Sequence, residues 1–153
     1  MNLKEKFIRK DFIAMLHTLS ASQKGLWGVM NAQEMVEHMS YSFRMANGKE
    51  KYELITPAEN VERMQAFVMS DREFKPNTKN VLLPEIAVAA QKANMEDSIQ
   101  EFKNEVEDFF AYFKNHPQAV LMNPFFGELN FEGWMALLYK HCLHHAKQFE
   151  LLK

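Results

Sequence analysis

Apolar positions recur every three or four residues over most of this 153-residue chain. That is the period of amphipathic helices rather than of strands. Leu3, Phe7, Ile8, Phe12, Met15, Leu16 and Leu19 set out a first helix over residues 3 to about 20. Gly25 and Gly28 then bracket Leu26-Trp27 in a loop, where Trp27 is expected to plug one end of the core. A second helix is expected over about residues 32–47, with Asn31 as its cap, Glu34 closing a capping box and Gly48 as its stop. Its inward stripe is Met35, His38, Met39, Ser42, Met45 and Ala46. Thr56-Pro57-Ala58-Glu59 predicts the start of a third, shorter helix over about residues 57–69, with Thr56 as cap, Pro57 first and Glu59 completing the box.

Residues 70–93 break the period. DREFKPNTKN is polar and contains proline, LLPEIAVAAQKAN has room for a short helical piece, and a connection this long reads as a lid or an embellishment. Asn94 caps a fourth helix that runs to about Asn115, with Ile99, Phe102, Val106, Phe109, Phe110 and Phe113 on one face. Glu96, Asp97, Glu101, Glu105, Glu107 and Asp108 form its expected solvated face. His116-Pro117 ends it, and a loop with turn residues at Asn123-Pro124 and Gly127 carries Phe125 and Phe126, expected to fold back onto the helices or to close a pocket. Asn130 caps a last helix over about residues 131–152, whose inner face is Trp134, Leu137, Leu138, His141, His145, Gln148 and Leu152. No stretch reads as a strand. The expectation is an all-α four-helix bundle, one domain over residues 1–153, with a long connection between the third and fourth helical segments.

Charge narrows the partners. Eighteen basic against twenty acidic residues give a net −2, with no basic patch of the kind nucleic acid needs. No run approaches 18 apolar residues, and MNLKEKFIRK has no apolar core followed by a cleavage site. One cysteine, Cys142, excludes an internal disulfide and fits a reducing compartment. The expectation is a cytoplasmic protein that acts on a small molecule, with no nucleic-acid or membrane partner and an exposed helical face that would suit a homodimer.

The chemistry concentrates in HCLHHAKQF, His141 to Phe149, which holds three of the six histidines. Each helical residue turns about 100°, so His141 and His145 stack on one face with Cβ atoms about 5–6 Å apart. Such a pair grips one transition-metal ion and leaves the question of a third ligand. His38, in the middle of the inward stripe of the second helix, is the candidate. Three imidazoles and an open position suit Zn²⁺ or Ni²⁺. The paired Glu-x-x-His motifs of di-iron bundles are absent from the chain. His144 and Gln148 are the candidate catalytic or ligand-orienting residues, Trp134, Phe125 and Phe126 the candidate pocket, and Cys142 is expected to be packed rather than nucleophilic. His17 is expected at the surface.

Two separated motifs carry a resemblance. WGVMNAQEMVEHM, Trp27 to Met39, has a Trp-Gly, a Gln-x-Met and then His38. HPQAVLMNPFFGELNFEGWMALLYKHCLHHAKQF, His116 to Phe149, has a His-Pro, a Phe-Gly, a Trp and a His-x-x-His-His-x-x-Gln-Phe series. Together they resemble the DinB-like (DinB/YfiT) superfamily, and within it a branch described as a domain of unknown function. The resemblance implies a four-helix bundle with a metal held by His38, His141 and His145. It implies an activity like that of its thiol-dependent relatives, transferases using bacillithiol or mycothiol and a maleylpyruvate isomerase, in which the metal lowers the pKa of a bound low-molecular-weight thiol. Many DinB-like sequences follow the last histidine with Arg-Gly-Gln. Here Ala146-Lys147-Gln148 keeps the glutamine and lacks the arginine. The family is named for induction by DNA damage, which does not imply DNA binding. The leading expectation is a metal-dependent, thiol-dependent transferase or isomerase. The alternatives are a hydrolase that activates water on the same ion, and a non-catalytic, stress-related metal-binding bundle. Lys75, Lys79 and Arg44 are candidates for a cationic groove that would hold an anionic thiol.

Overall fold

The protein is described here by a computed structural model over residues 1–76 and 88–152. Lys79, one of the groove candidates, and residues 82–87 of the stretch expected to carry a short helical piece lie outside these residues, and residues 88–94 of that stretch form no helix. Among the described residues the fold is mostly helical, with five helices and one small hairpin. No helix among them is long and apolar enough to cross a membrane.

Helix α1 comprises Leu3–Lys6, a π-helical turn at Phe7–Asp11, and Phe12–Leu16. It buries Ile8, Phe12, Ile13 and Leu16, and it ends a turn earlier than its apolar spacing predicts. His17 is exposed, as expected. Helix α2, Ala32–Arg44, starts on the expected capping box: Asn31 Oδ1 accepts the Glu34 N–H at 2.8 Å and Glu34 Oε1 accepts the Asn31 N–H at 2.8 Å. It stops at Arg44 rather than Asn47, and the chain turns through Gly48 at φ +76°. A Cβ there would meet the Tyr112 ring at 2.5 Å, so both conformation and space demand glycine.

Helix α3, Ala58–Met69, departs from its expected cap. Pro57 takes the cap position and Thr56 does not bond the helix. The Thr56 hydroxyl instead donates to the Phe125 carbonyl at 2.7 Å, holding the helix start to the loop that carries Phe125 and Phe126. Helix α4, Met95–Asn115, is capped by Asn94 as expected. The loop after it contains the one clear departure from an all-helical reading. β1, Leu121–Asn123, pairs antiparallel with β2, Gly127–Leu129, in the register Leu121 to Leu129 and Asn123 to Gly127. Asn123 Oδ1 accepts the N–H groups of Phe125 and Phe126 at 2.8 and 3.0 Å, closing the turn from its own side chain. Helix α5 runs Phe131–Gln148, capped by Asn130. It ends four residues before the expected Leu152, where Glu150 takes φ 60° and the Leu151 N–H reaches back to the Ala146 carbonyl at 2.7 Å.

Helix α2 packs along α4, α3 packs along α5, and α1 lies against α4 and α5. Phe12, Phe43, Phe102 and Phe109 meet edge to face at 5.3–5.9 Å and join α1, α2 and α4 into one core. Such pairs add about 0.5–1.5 kcal/mol each beyond their burial. The acidic face of α4 is not uniformly solvated. Glu105 is buried, accepting from Asn47 Nδ2 and Lys49 Nζ at 2.9 Å each, with Arg44 Nε at 3.5 Å. Arg44 also pairs with Glu101 and so belongs to this ion cluster rather than to a groove for a substrate.

Candidate metal centre

His38 on α2 and His141 and His145 on α5 come together, as their spacing implies. His38 Nε2 lies 3.0 Å from His141 Nε2, and His145 Nε2 lies 2.9 Å from the same atom. Bonds from a metal to imidazole are about 2.0–2.1 Å, which sets ligand nitrogens on one ion about 3.0–3.4 Å apart. His145 is fully buried, and His38 and His141 are half-buried.

Gln148, one turn beyond His145 and fully buried, fixes one ring. Its Nε2 donates to the Trp27 carbonyl at 2.9 Å, so its Oε1 is the atom that faces His145 Nδ1 at 2.7 Å. An amide oxygen only accepts, so His145 carries its proton on Nδ1 and presents a bare Nε2 lone pair to the centre. His141 Nε2 contacts both other Nε2 atoms. A hydrogen on His141 Nε2 aimed at His145 leaves the His38 contact without a linear bond, and a bare His141 Nε2 that accepts from His38 faces the bare lone pair of His145 in repulsion. A cation bonded to all three nitrogens removes that repulsion, so the donor set fits a metal such as Zn²⁺ or Ni²⁺.

Electrostatics favour the same state. Burial, and then the neighbouring His144, lowers the His38 pKa to about 4. Burial first, and the surrounding imidazoles second, hold His141 and His145 well below the usual imidazole value. All three are neutral at physiological pH, the form that binds metals. This gives the metal-free protein a distinct stability profile. Unfolding returns these rings to water, where they protonate near pH 6.5. Between about 6.5 and the His38 value of about 4 the unfolded chain binds more protons than the folded one. The contribution is complete above pH 6.5 and is lost as pH falls through that window. Denaturant midpoints of EDTA-treated protein are expected to drop between about pH 7 and about pH 5. A midpoint that holds or rises would contradict a neutral triad.

His144 stands outside the triad. Its ring is 5.0 Å from that of His145, with Trp27 at 5.5 Å and Phe74 at 5.9 Å. It hydrogen-bonds the Phe74 backbone, which raises its pKa, but burial outweighs this and leaves the pKa lowered. It lines a cavity of about 210 Å³ between α3, α5 and the segment after α3, together with Trp27, Phe74, Tyr139, Lys140 and Lys147. Trp27 is therefore a wall of this cavity, not the plug of the core that its loop suggested. Trp134 and Phe126 are buried in the core and Phe125 packs against it; none of them lines this cavity. Cys142 is fully buried, packed as expected, and burial pushes its thiol pKa up.

Two residues escape a reading of the sequence. Phe74 lies in the irregular segment after α3 and sits 6.1 Å from His141 and 6.5 Å from Phe126, covering the α5 histidines. Lys140 falls off the apolar stripe of α5 and is nonetheless buried. Its ammonium donates to the Ser70 carbonyl at 2.9 Å and to the Arg72 carbonyl, fixing the segment that carries Phe74. An aromatic residue in a polar stretch is the one sequence sign of the first; the second has none.

Comparisons with protein-family models, with curated proteins and with solved structures find no match.

Proposed function

We propose that this protein is a metal-dependent enzyme of the DinB-like type, a four-helix bundle that joins a low-molecular-weight thiol to an electrophile or isomerises a substrate with such a thiol. The observation that carries the reading is the convergence of three Nε2 atoms with one lone pair fixed inward by Gln148. His38, His141 and His145 would hold Zn²⁺ or Ni²⁺. When bound, the ion supplies Lewis acidity that lowers the pKa of a thiol, or of water in the hydrolytic alternative.

The chain's own residues complete the picture. Gln148 orients His145, as supporting residues commonly do for metal-binding imidazoles. Cys142 is too deeply buried to act as a nucleophile, so the reacting thiol comes from outside the chain. His144, neutral and beside both the triad and the cavity, is placed to accept the thiol proton. Phe74 covers this region and limits the access of water. The natural setting for this chemistry is the cytoplasm with its reduced thiol pool, with a small-molecule substrate and no nucleic-acid or membrane partner. A homodimer through an exposed helical face is compatible with it.

Metal content by mass spectrometry on untagged protein is the direct test. Near one equivalent of zinc or nickel per chain supports the reading and justifies a screen of thiols against electrophiles. Turnover that needs no thiol would move the assignment to the hydrolase. No metal after incubation with Zn²⁺ and with Ni²⁺ would remove both enzymes and leave a binding or structural bundle.

A further inference from the structure

We propose that the cavity beside His144 is a binding site for a small organic carboxylate, whose apolar body rests on the face of α5. The cavity presents four cations, Lys4, Arg72, Lys140 and Lys147, against two carboxylates, Asp71 and Glu73. This excess of positive charge stands out in a chain of net charge −2. Two of the four cations are already engaged. Lys147 pairs with Glu73, and Lys140 is bonded to the backbone carbonyls after α3. The other two have no carboxylate partner among the described residues. Each is instead held over an aromatic ring, Arg72 over Phe67 at 5.3 Å and Lys4 over Tyr139 at 5.7 Å. By contrast, Arg9, Arg44, Lys49 and Lys92 are all paired with acids.

A guanidinium stacked on a ring keeps its donors in its own plane, away from the ring, and an ammonium over a ring keeps those that point away from it, so both have donors available to an anion. The floor between them is apolar, formed by Ala136, Tyr139 and Leu143 of α5. Phe7 meets Tyr139 edge to face at 5.5 Å and steadies that floor. The π-helical turn at Phe7–Asp11 lies between Lys4 and the buried Phe12. One extra residue in a turn rotates the segment before it by about 100° relative to the remainder of the helix. The first turn of α1 is thereby set apart from the core-facing turns, and Lys4 falls on the cavity. Asp71 and Glu73 on the same rim disfavour a phosphate dianion and leave a singly charged carboxylate as the better match. Trp27, whose indole N–H has no acceptor among the described residues, forms the opposite wall.

As a substrate subsite this cavity rests on the enzyme reading above, because His144 would link it to the ion. As a binding site it does not, so the test is made without metal. EDTA-treated protein labelled with nitrogen-15 is titrated with benzoate, with benzamide as the neutral isostere and phenyl phosphate as the dianion. The Trp27 indole resonance, assigned by Trp27→Phe, is the reporter and that of Trp134 the control. Benzoate is expected to shift Trp27 saturably and to bind about tenfold tighter than benzamide. Arg72→Gln and Lys4→Gln are each expected to weaken benzoate about fivefold or more, whereas Lys114→Gln, outside the cavity, leaves it unchanged. Both cavity variants remove exposed side chains, and circular dichroism confirms that they fold. Equal binding of benzoate and benzamide, tighter binding of phenyl phosphate, no effect of the two variants, or no saturation up to about 50 mM would overturn the proposal. A positive result with a protein that takes up no metal would retain the binding site and discard the enzyme.

Discussion

His145→Ala is expected to abolish retention of zinc or nickel. The variant removes the one imidazole that is both fully buried and held in a defined tautomer. The loss should exceed the roughly 100-fold expected for removal of a merely supporting residue. The remaining His38–His141 pair can share one proton across its 3.0 Å contact and has no further need of a cation. Thermal stability gives a second readout. A ligand at about 1,000 times its Kd stabilises the folded state by about 4 kcal/mol. Wild-type protein should show such a gain when zinc is added, and His145→Ala should not. Metal-free melting of the variant should fall, because a buried ring is lost and Gln148 Oε1 is left without its donor, so the zinc-dependent gain rather than the starting stability is the readout. A variant that keeps a full equivalent and the same zinc-dependent gain would refute the centre.

Gln148 should matter almost as much, although it would touch no metal. Gln148→Leu leaves the His145 Nδ1–H without an acceptor and the Trp27 carbonyl without a donor. Metal affinity is expected to fall about 10- to 100-fold, and each orphaned buried group costs about 1–3 kcal/mol of stability. Gln148→Glu separates the two roles. A carboxylate still accepts from His145, and more strongly, but opposes the Trp27 carbonyl with a second acceptor. Near wild-type metal affinity with reduced stability is expected, measured by competition with a chelator and by denaturant unfolding. Equal loss of affinity in both variants would show that Gln148 acts through packing alone.

The features legible in the chain and those that were not divide along physical lines. The long helices and the caps at Asn31, Asn94 and Asn130 came from local rules, periodicity and the reach of a short side chain to the first free N–H groups. The triad came from the same periodicity, because residues four apart on α5 and a midpoint on α2 were already on inward faces. Thr56 failed as a cap because a carbonyl from a loop 69 positions later competed for its hydroxyl. The hairpin failed because its strands are three residues long, too short to display alternation. Glu105 was expected on the solvated face, and Lys140 had no sequence sign, for one reason: a long charged side chain can be buried wherever distant partners satisfy it, and those partners are set by tertiary packing. Phe74 belongs to a segment with no period at all.

The bond from Gln148 to Trp27 also extends the centre into a stretch with no ligand in it. Gly25 packs so closely that a Cβ there would lie 2.8 Å from Gln148 Cγ and 3.2 Å from its carbonyl oxygen. The Leu26 N–H donates to that same carbonyl at 2.7 Å. Any side chain at position 25 therefore pushes on the residue that holds the His145 ring. Among sequences that keep this centre, positions 25 and 148 should covary, and a search that aligns only the three histidines would count as intact some chains that can no longer grip an ion.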